Sequence, residues 1–328
     1  MARKKPRVGS NRQQASQRAA ASTVAKRSAD AAPRAGGTTE PFTIRDFGYA
    51  GDAGAQAHYA DPAYYSHTYR DRRHDVDYYV RLARRAGGPV LEYGVGNGRV
   101  ALHVARAGVD VVGVDLARPM LDDFTRRLAH EPKSIRERVT LHEGDMRSVR
   151  LDREFALVTA PFNAILHLYE RRDLEAFLSC VRAHLAPQAT FVFDFSIPQP
   201  ADLARDPERT FPAPALVHPE TGARVGYTER FEYDPLRQLL LVRMQFTPED
   251  GSAAYVVPLT HRQYFPREMA ALLHYNGFGE VLFTADFTDL AADRWVDSIV
   301  VQCRQEARCA ALDDGDPPAA SHDAARGA

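Results

Sequence analysis

The sequence predicts an α/β fold: a doubly wound, mostly parallel sheet of seven strands with a small antiparallel three-stranded insert. From Pro89 to Phe195, short apolar runs alternate with amphipathic helical runs, an order typical of a parallel sheet with helices on both faces. A proline-rich connection then leads into three β-rich runs separated only by turn residues. This change of pattern predicts the insert, after which one helix and two strands complete the larger sheet.

The parallel part of the sheet contains five predicted strands with helices between them. One helix ends near Gly108, and Pro119 begins the next at a first-turn position that tolerates its missing N–H. Asp173 is predicted to cap a third helix that runs to Leu185. Residues 58–86, which are rich in tyrosine, are predicted to be helical. The strands are predicted at 89–93, 109–115, 139–145, 155–160 and 190–195.

The insert is predicted at residues 198–265. Its three β-rich runs are VGYTERFEY, LLLVRMQFT and AYVVPLTHRQYF, with turn signals at Asp234-Pro235 and at 248–251. A helix over 266–275 follows, and the last two strands are predicted near 280–284 and 297–302. The whole chain then divides into a basic tail at 1–45, a helical lid at 46–86, a core at 87–197 and 266–306, and a tail at 307–328.

Composition limits the function classes without choosing one. The 328 residues carry a formal net charge of −1, so bulk charge favours neither nucleic acid nor an acidic substrate. No apolar run approaches the roughly 20 residues of a membrane helix. The three cysteines lack zinc-binding spacing and fit a reducing compartment, so we predict no metal site and a cytoplasmic location.

Both ends of the chain are predicted to be disordered. Residues 1–29 contain eight Lys or Arg residues and no acid, and they have too few apolar residues to form a core. Such a segment is a solvated tail, a nonspecific polyanion-binding arm or an organelle-targeting peptide, and the sequence leaves these alternatives open.

A glycine loop follows the first strand and opens the first helix of the sheet. Gly94, Gly96 and Gly98 lack a Cβ, so their backbone amides can approach a ligand, and the helix N-terminus adds partial positive charge. Such loops bind dinucleotides or S-adenosylmethionine. The dinucleotide fingerprint has its third glycine at the position of Arg99, so that template fails.

A carboxylate ends the next strand. Asp115 lies where the carboxyl ends of parallel strands form a ligand crevice, and its side chain is suited to accept both hydroxyls of a ribose. The loop and the acid occur together in one βαβ unit, and this combination is much more specific than a glycine loop alone.

The segment Glu92-Tyr93-Gly94-Val95-Gly96-Asn97-Gly98 resembles motif I, E/D-x-G-x-G-x-G, of class I S-adenosylmethionine-dependent methyltransferases. Asn97 is a mild departure, since many members have Thr or Ser there. The resemblance implies a Rossmann-like sheet, S-adenosylmethionine as the cofactor, Glu92 and the three glycines as its cradle, and Asp115 as the ribose acid. It also implies an adenine site at Asp145 and Met146, and it implies that Pro161 contacts the cofactor.

The resemblance runs from about Tyr59 to Arg304. The connection and the insert are most similar to the small-molecule branch of the family, which includes glycine and amino-sugar N-methyltransferases. Amino methyltransferases of DNA resemble one another in a D/N-P-P-Y/F motif, whereas this chain has Ala160-Pro161-Phe162-Asn163. The polar side chain that would hold a planar amine is absent, which argues against a nucleobase acceptor.

The acceptor pocket is predicted over the carboxyl ends of strands four and five, beneath the lid and the insert. Asn163 and His167, one helical turn apart, are the predicted catalytic pair. Alternatively, Asn163 caps the following helix and His167 is a buried, hydrogen-bonded histidine. Tyr69 is a predicted lid over the cofactor, or a core residue. Further acceptor candidates are Tyr64, Arg230 and His261.

The sequence therefore predicts an enzyme that moves a methyl group from S-adenosylmethionine to an amine or hydroxyl of a small molecule. Two alternatives are left open: an RNA- or ribosome-associated methyltransferase that uses the basic tail, and a non-catalytic cofactor-binding protein. The run Thr260–Tyr264 has a further alternative role, as the edge of a homodimer formed through the insert.

Overall fold

A computed structural model describes residues 51–219 and 222–306. The predicted tails at 1–45 and 307–328 lie outside these described residues. Helices in the described chain are α1 (Gly51–His58), α2 (Pro62–Tyr69), α3 (His74–Ala86), α4 (Ala101–Arg106), α5 (Arg118–Ala129), α6 (Lys133–Arg136), α7 (Arg171–His184), α8 (Pro200–Leu203) and α9 (Pro266–Tyr275), with a 3₁₀ turn at Ala164–His167. Strands are β1 (Val90–Tyr93), β2 (Val111–Asp115), β3 (Val139–Glu143), β4 (Phe155–Ala160), β5 (Leu185–Ser196), β6 (Phe211–Val217), β7 (Arg224–Asp234), β8 (Leu239–Pro248), β9 (Tyr255–Arg262), β10 (Phe278–Ala285) and β11 (Ser298–Gln305).

The larger sheet has seven strands in the order β10-β11-β5-β4-β1-β2-β3, which confirms the predicted α/β class. Strands β3, β2, β1, β4 and β5 run parallel, and β11 is antiparallel to both of its neighbours. The chain winds outward from β1 through β2 to β3 and then returns to β4 on the other side of β1. Strands β1 and β4 therefore flank the topological switch point, where ligand crevices form in such sheets.

The insert is a separate sheet of four strands, in the order β6-β7-β8-β9, and the expectation of three strands was wrong. The missed strand, β6, contains Pro212 and Pro214. Proline cannot donate to a ladder, but β6 is an edge strand that pairs only with β7, so one side of it needs no donors. The irregularity between Ala213 and Leu216 accommodates Pro214.

The N-terminal helical segment is divided into three helices rather than one run. Asp61 caps α2 by accepting a hydrogen bond from Tyr64 N at 3.1 Å, and Pro62 occupies the first position of the helix. The prediction that Asp173 caps α7 was also wrong, because Glu170 is the N-cap. Asp173 lies three residues further on and accepts from Glu170 N, so the two residues form a capping box.

Apolar side chains fill both faces of the larger sheet. Helices α7 and α9 cover one face, with residues such as Phe177, Phe191 and Met269 fully buried, and α3, α4 and α5 cover the other. Helix α1 packs against β9 of the insert. The packing fixes the carboxyl ends of β1, β2 and β4 beneath α1 and α2. No helix in the described part of the chain is long and apolar enough to cross a bilayer.

Candidate active site

A cavity opens at the carboxyl ends of β1, β2 and β4, at the switch point of the larger sheet. It runs from the turn after β3 to the inner side of α1. Eight of the eleven residues predicted for the site line it: Glu92, Gly94, Gly96, Asp115, Asp145, Met146, Pro161 and His167. The other three, Gly98, Asn163 and Tyr69, lie behind the wall of the cavity.

The glycine loop uses backbone conformations that other residues rarely adopt. Gly94, Gly96 and Gly98 all have positive φ angles, of 67°, 54° and 76°. A Cβ on Gly98 would come within 2.3 Å of the Phe124 ring, so this position is closed by the core. A Cβ on Gly96 would lie 3.2 Å from Met120 Cε, the flexible end of a side chain at the cavity wall. Gly98 thus serves packing, whereas Gly96 faces the cavity.

Asp115 holds the loop as well as facing the cavity. Its Oδ2 accepts a hydrogen bond from Gly96 N at 2.7 Å, and its Oδ1 accepts one from Ala117 N at 2.8 Å. Burial raises the pKa of Asp115, although these backbone hydrogen bonds oppose the increase. Each carboxylate oxygen has capacity for a further donor, and the geometry therefore fits the predicted ribose role.

Glu92 is a buried acid of the site with one unpaired carboxylate oxygen. It is 2% exposed, and its Oε2 has no hydrogen-bond partner among the described residues. Burial raises the pKa of Glu92 to about 8, opposed by the positive charge of Arg99. A buried carboxylate without a partner is costly unless a ligand supplies a donor or a positive charge. The α-ammonium group of S-adenosylmethionine is such a partner, so this atom fits the cofactor.

The predicted adenine site also contains Arg147, which was not among the predicted site residues. Asp145 pairs with Arg147, with 2.6 Å between Oδ2 and Nη2, and its Oδ1 accepts from Arg147 N at 2.8 Å. Burial favours the neutral acid, but the hydrogen bonds from Arg147 outweigh it and lower the pKa of Asp145. Met146 packs against the core beside the cavity. Asp145 thus remains ionised and able to accept.

The turn after β4 is strained. Phe162 and Asn163 have φ angles of 60° and 63°, a left-handed conformation that is costly outside glycine. The Oδ1 atom of Asn163 accepts from Ser196 N at 2.7 Å, so its side chain joins the ends of β4 and β5. Asn163 does not line the cavity, and its predicted catalytic role has no contact to support it here. The alternative cap role has none either, since its side chain makes no cap hydrogen bond.

A buried acid supports this strained turn. Asp194 is fully enclosed, and its Oδ1 accepts from Phe162 N at 2.8 Å and from the Tyr79 hydroxyl at 2.6 Å. Burial raises the pKa of Asp194 to about 6, against the effect of these hydrogen bonds. Sequence reasoning missed Asp194, although an acid inside the apolar strand TFVFDF was a visible signal.

Arg99, which excluded a dinucleotide site, is held by α3. Its guanidinium pairs with both oxygens of buried Asp75, at 3.0 and 2.7 Å, and Arg72 Nε bonds the same carboxylate at 2.9 Å. Burial opposes ionisation of Asp75, but the two guanidinium groups hold its pKa well below its usual value. The Phe162 ring lies against both cations, 4.6 Å from Arg99 and 4.7 Å from Arg72. This buried cluster fixes one wall of the cavity.

At the other end of the cavity, His167 meets a tyrosine that the sequence analysis did not single out. The Tyr59 hydroxyl lies 2.9 Å from His167 Nε2, and both residues line the cavity. His167 Nδ1 lies 3.4 Å from the Tyr169 hydroxyl, which itself donates to the Thr260 carbonyl. Nδ1 therefore carries the proton, and Nε2 accepts from Tyr59. The only sequence signal for Tyr59 was its place in a tyrosine-rich segment.

Three buried histidines cluster here. The rings of His167 and His261 are 5.1 Å apart. Burial lowers the pKa of His167 to about 4, burial and the nearby His167 lower that of His58 to about 3, and burial also depresses that of His261. All three are thus neutral at pH 7. This end of the cavity offers hydrogen-bonding groups without positive charge.

The remaining predicted residues lie outside the cavity. Tyr69 is buried behind the cavity wall, with its ring centroid 4.8 Å from that of Phe162, so its observed contacts are those of the core alternative, and the lid role stays a prediction. Tyr64 joins α2 to the insert by packing on Phe246. Arg230 donates to Thr210 Oγ1 at 3.1 Å. Within 51–219 and 222–306, no group of three or more His, Cys, Asp or Glu side chains is arranged to hold a metal ion.

The fold and the site define the class. A switch-point cavity with a glycine cradle, a strand-end acid and an orphaned Glu92 is the geometry of a class I S-adenosylmethionine-dependent methyltransferase domain. Residues 90–188 match the family model described as a methyltransferase domain. The chain therefore carries such a domain, with S-adenosylmethionine as its cofactor.

The chain is similar to several known methyltransferases. The chain is similar to the CcbJ methyltransferase from Streptomyces caelestis, with 27% identity and a TM-score of 0.62, over 72% of this chain and 90% of that one. It is 32% identical to a dTDP-3-amino-3,6-dideoxy-alpha-D-glucopyranose N,N-dimethyltransferase from Streptomyces fradiae, over 37% of this chain and 44% of that protein. It is 33% identical to the cypemycin N-terminal methyltransferase of a Streptomyces species, over 34% of this chain and 43% of that protein. The matched region thus spans less than half the length of these two curated relatives.

Proposed function

We propose that this protein transfers a methyl group from S-adenosylmethionine to an amine of a small molecule. The observation that carries the proposal is the composition of one continuous cavity. One end has Glu92, the glycine loop and Asp115, and the other has the uncharged Tyr59–His167 pair. Of the two curated relatives described above, one is named as an N,N-dimethyltransferase of an amino sugar and the other as an N-terminal methyltransferase. An amine acceptor agrees with both names.

The donor end fits the cofactor in both shape and charge. Positive φ angles open the loop, Asp115 lines the cavity where it could accept ribose hydroxyls, and Glu92 Oε2 lacks the partner that an α-ammonium group would supply. When bound, S-adenosylmethionine supplies a methyl group on a positively charged sulfur. The chain must align the acceptor with that methyl group and exclude water.

The acceptor end favours an unprotonated amine. Only a neutral amine has the lone pair that attacks the methyl group, and the neutral histidines make no salt bridge that would stabilise an ammonium ion. Because the Tyr59 hydroxyl donates a hydrogen bond to His167 Nε2, its oxygen is left to accept a hydrogen bond from the amine N–H. Tyr59 would thus orient the nitrogen, and His167 would orient Tyr59.

A hydroxyl acceptor is less well served by this geometry. A hydroxyl needs a base to remove its proton as the bond forms. Burial lowers the pKa of His167 to about 4, which makes it a weak base.

A homodimer contact through the insert and a cytoplasmic location stay predictions. Sedimentation velocity would test the first, and cell fractionation would test the second.

Calorimetric titration with S-adenosylmethionine tests the donor end. Asp115→Ala removes two charge-assisted hydrogen bonds to the ribose, and we expect affinity to fall about a hundredfold. Asp122→Ala, an exposed acid seven residues away, is the matched control and should bind normally. Absence of binding to the wild-type protein, or equal affinities for the two variants, would contradict the proposal.

Methyl transfer to a panel of amines and matched alcohols, followed by mass spectrometry, tests the acceptor end. Tyr59→Phe should lower kcat about ten- to a hundredfold while the Kd for S-adenosylmethionine stays unchanged. Tyr275→Phe, an exposed tyrosine, is the control. Transfer to alcohols alone would replace the amine in this proposal by a hydroxyl.

A further inference from the structure

A second cavity lies beside the cofactor cavity, between the insert sheet and the carboxyl end of β5. Ser196, Asp202 and Asp297 line its core side. Alternate residues of the insert strands line the other side, because side chains two apart share one face of a sheet. They include Glu229 on β7 and, as register partners on β8 and β9, Leu240 and His261.

The two cavities meet at a pair of histidines. His167 lines the cofactor cavity, His261 lines the second cavity, and their ring centroids are 5.1 Å apart. A ligand in the second cavity therefore sits next to the place where the acceptor nitrogen would react.

The imidazole ring of His261 lines the second cavity. The residue is 7% exposed, and neither ring nitrogen hydrogen bonds to any residue that the structure describes. Its depressed pKa leaves one N–H donor and one nitrogen acceptor in a nearly dry environment. Buried polar groups are normally paired, so this ring calls for a ligand with both donors and acceptors.

The charge of the lining adds a second requirement. Asp202, Glu229 and Asp297 are acidic, and none of the described residues that line the cavity is Lys or Arg. Two guanidinium groups next to the lining are already engaged: Arg205 pairs with Asp202 at 2.6 Å and stacks on Phe211 and Phe231, and Arg262 pairs with Glu268 at 2.7 Å. Glu229 is 3% exposed, and Tyr227 donates to its Oε1. A phosphate group needs Arg, Lys or backbone donors and would be repelled here.

We infer that the second cavity binds the part of the acceptor remote from the reacting nitrogen, and that this part is hydroxylated and carries an ammonium group. Glu229 and Asp297 pair with the ammonium, and His261 hydrogen bonds to hydroxyls. The acceptor class is then a free, cationic polyhydroxylated amine, and acceptors linked to a nucleotide diphosphate are excluded. This inference rests on the proposed function, since it names the acceptor class of that site.

Binding measurements test the inference independently of turnover. The probes are 2-deoxystreptamine, a cyclic diamine with hydroxyls, scyllo-inositol, a neutral ring of the same size, and dTDP-glucose. Each is titrated calorimetrically into the full chain at pH 7, with and without S-adenosylhomocysteine. We expect the diamine to bind at least about tenfold more tightly than the inositol, with affinity that falls as salt rises, and dTDP-glucose not to displace it.

Charge-removing variants test whether the diamine binds to the acids of this cavity or is attracted only by the overall charge of the protein. Glu229→Gln and Asp297→Asn should each weaken diamine binding about tenfold. Glu249→Gln, an exposed acid in the turn after β8, should leave it unchanged. Thermal unfolding checks that each variant is folded. If Glu229→Gln does not fold, Asp297→Asn alone carries the test.

Two results overturn the inference: tighter binding of dTDP-glucose than of the diamine, or unchanged diamine affinity in both cavity variants. Failure of the proposed function is a different result, namely no binding of S-adenosylmethionine or S-adenosylhomocysteine. The titration without cofactor still tests the second cavity in that case.

Discussion

The hydroxyl of Tyr79 donates a 2.6 Å hydrogen bond to Asp194, a residue 115 positions later in the chain. The same oxygen of Asp194 accepts from Phe162 N, so α3 and β5 together hold the left-handed turn at Phe162 and Asn163. That turn places the Phe162 ring at the cavity wall, between two guanidinium groups. The shape of the cofactor cavity therefore depends on a contact between distant elements.

Removing this support should relax the turn. Asp194→Ala leaves Phe162 N and the Tyr79 hydroxyl without an acceptor, and strain of about 1–3 kcal/mol per residue is then released by a change of conformation. We expect the affinity for S-adenosylmethionine to fall at least about tenfold in a calorimetric titration. Asp194→Asn keeps an oxygen acceptor and should recover most of the affinity. Equal losses in both variants would indicate that only folding, and not the position of the turn, had been changed.

The same acid should make stability depend on pH. Burial raises the pKa of Asp194 to about 6, above the value near 3.9 expected in the unfolded chain. Its contribution to folding is then fully present below pH 4 and is lost as pH rises through 6, by about 3 kcal/mol. Urea unfolding from pH 4 to 7 should show the wild-type protein losing stability relative to Asp194→Asn. A constant difference between the two proteins would mean that the folded-state pKa of Asp194 is not raised.

The glycines of the loop should separate binding from folding. Gly96→Val forces a β-branched residue to a φ near 54° at the cavity wall, where only Met120 Cε has to move. Cofactor binding should be abolished, with a fall of a few degrees at most in Tm. In Gly98→Val, the new Cβ meets the Phe124 ring in the core, so we expect a much lower Tm. Differential scanning calorimetry and cofactor titration distinguish the two, and similar Tm values would contradict this division.

Cofactor binding should release a proton through Glu92. Burial raises the pKa of this side chain to about 8, so the free protein holds it mostly protonated at pH 7. An ammonium group is bound best by the ionised form, and affinity should therefore rise about tenfold per pH unit between pH 6 and 7. Calorimetry in two buffers of different ionisation enthalpy measures the released proton. Glu92→Gln should remove both the release and the pH dependence, and retention of either in this variant would assign them to another group.

The buried histidines should make the protein labile to acid. The pKa values of His58 and His167 are lowered to about 3 and about 4, mainly by burial. Because the unfolded chain takes up protons near pH 6.5, stability is complete above that pH and is lost as pH falls toward 4. His58→Gln should flatten this loss in a series of thermal melts, whereas the exposed control His130→Gln should not. An unchanged slope in His58→Gln would argue against the depressed pKa.

Much of the cofactor-binding end of the cavity was predictable because its residues are close together in the sequence. Gly94 to Gly98 and Asp115 lie within one βαβ unit, and hydrophobic periodicity fixes the order of strand, loop and helix there. The seven-stranded sheet and helix α9 were predicted for the same reason. Strand β6 was missed because its prolines oppose strand formation, and only its place at the sheet edge makes them tolerable.

The sequence by itself determined the α/β alternation, the glycine cradle and the acid at the end of β2, since each depends on neighbours in the chain. Only the tertiary structure decided that Tyr59 meets His167, that Asp75 holds Arg99, and that Glu229 and His261 face one cavity. These contacts join residues far apart in sequence, and burial then sets their charge states. No local pattern carries that information, because the energy of a buried polar group depends on the partners that the fold brings to it.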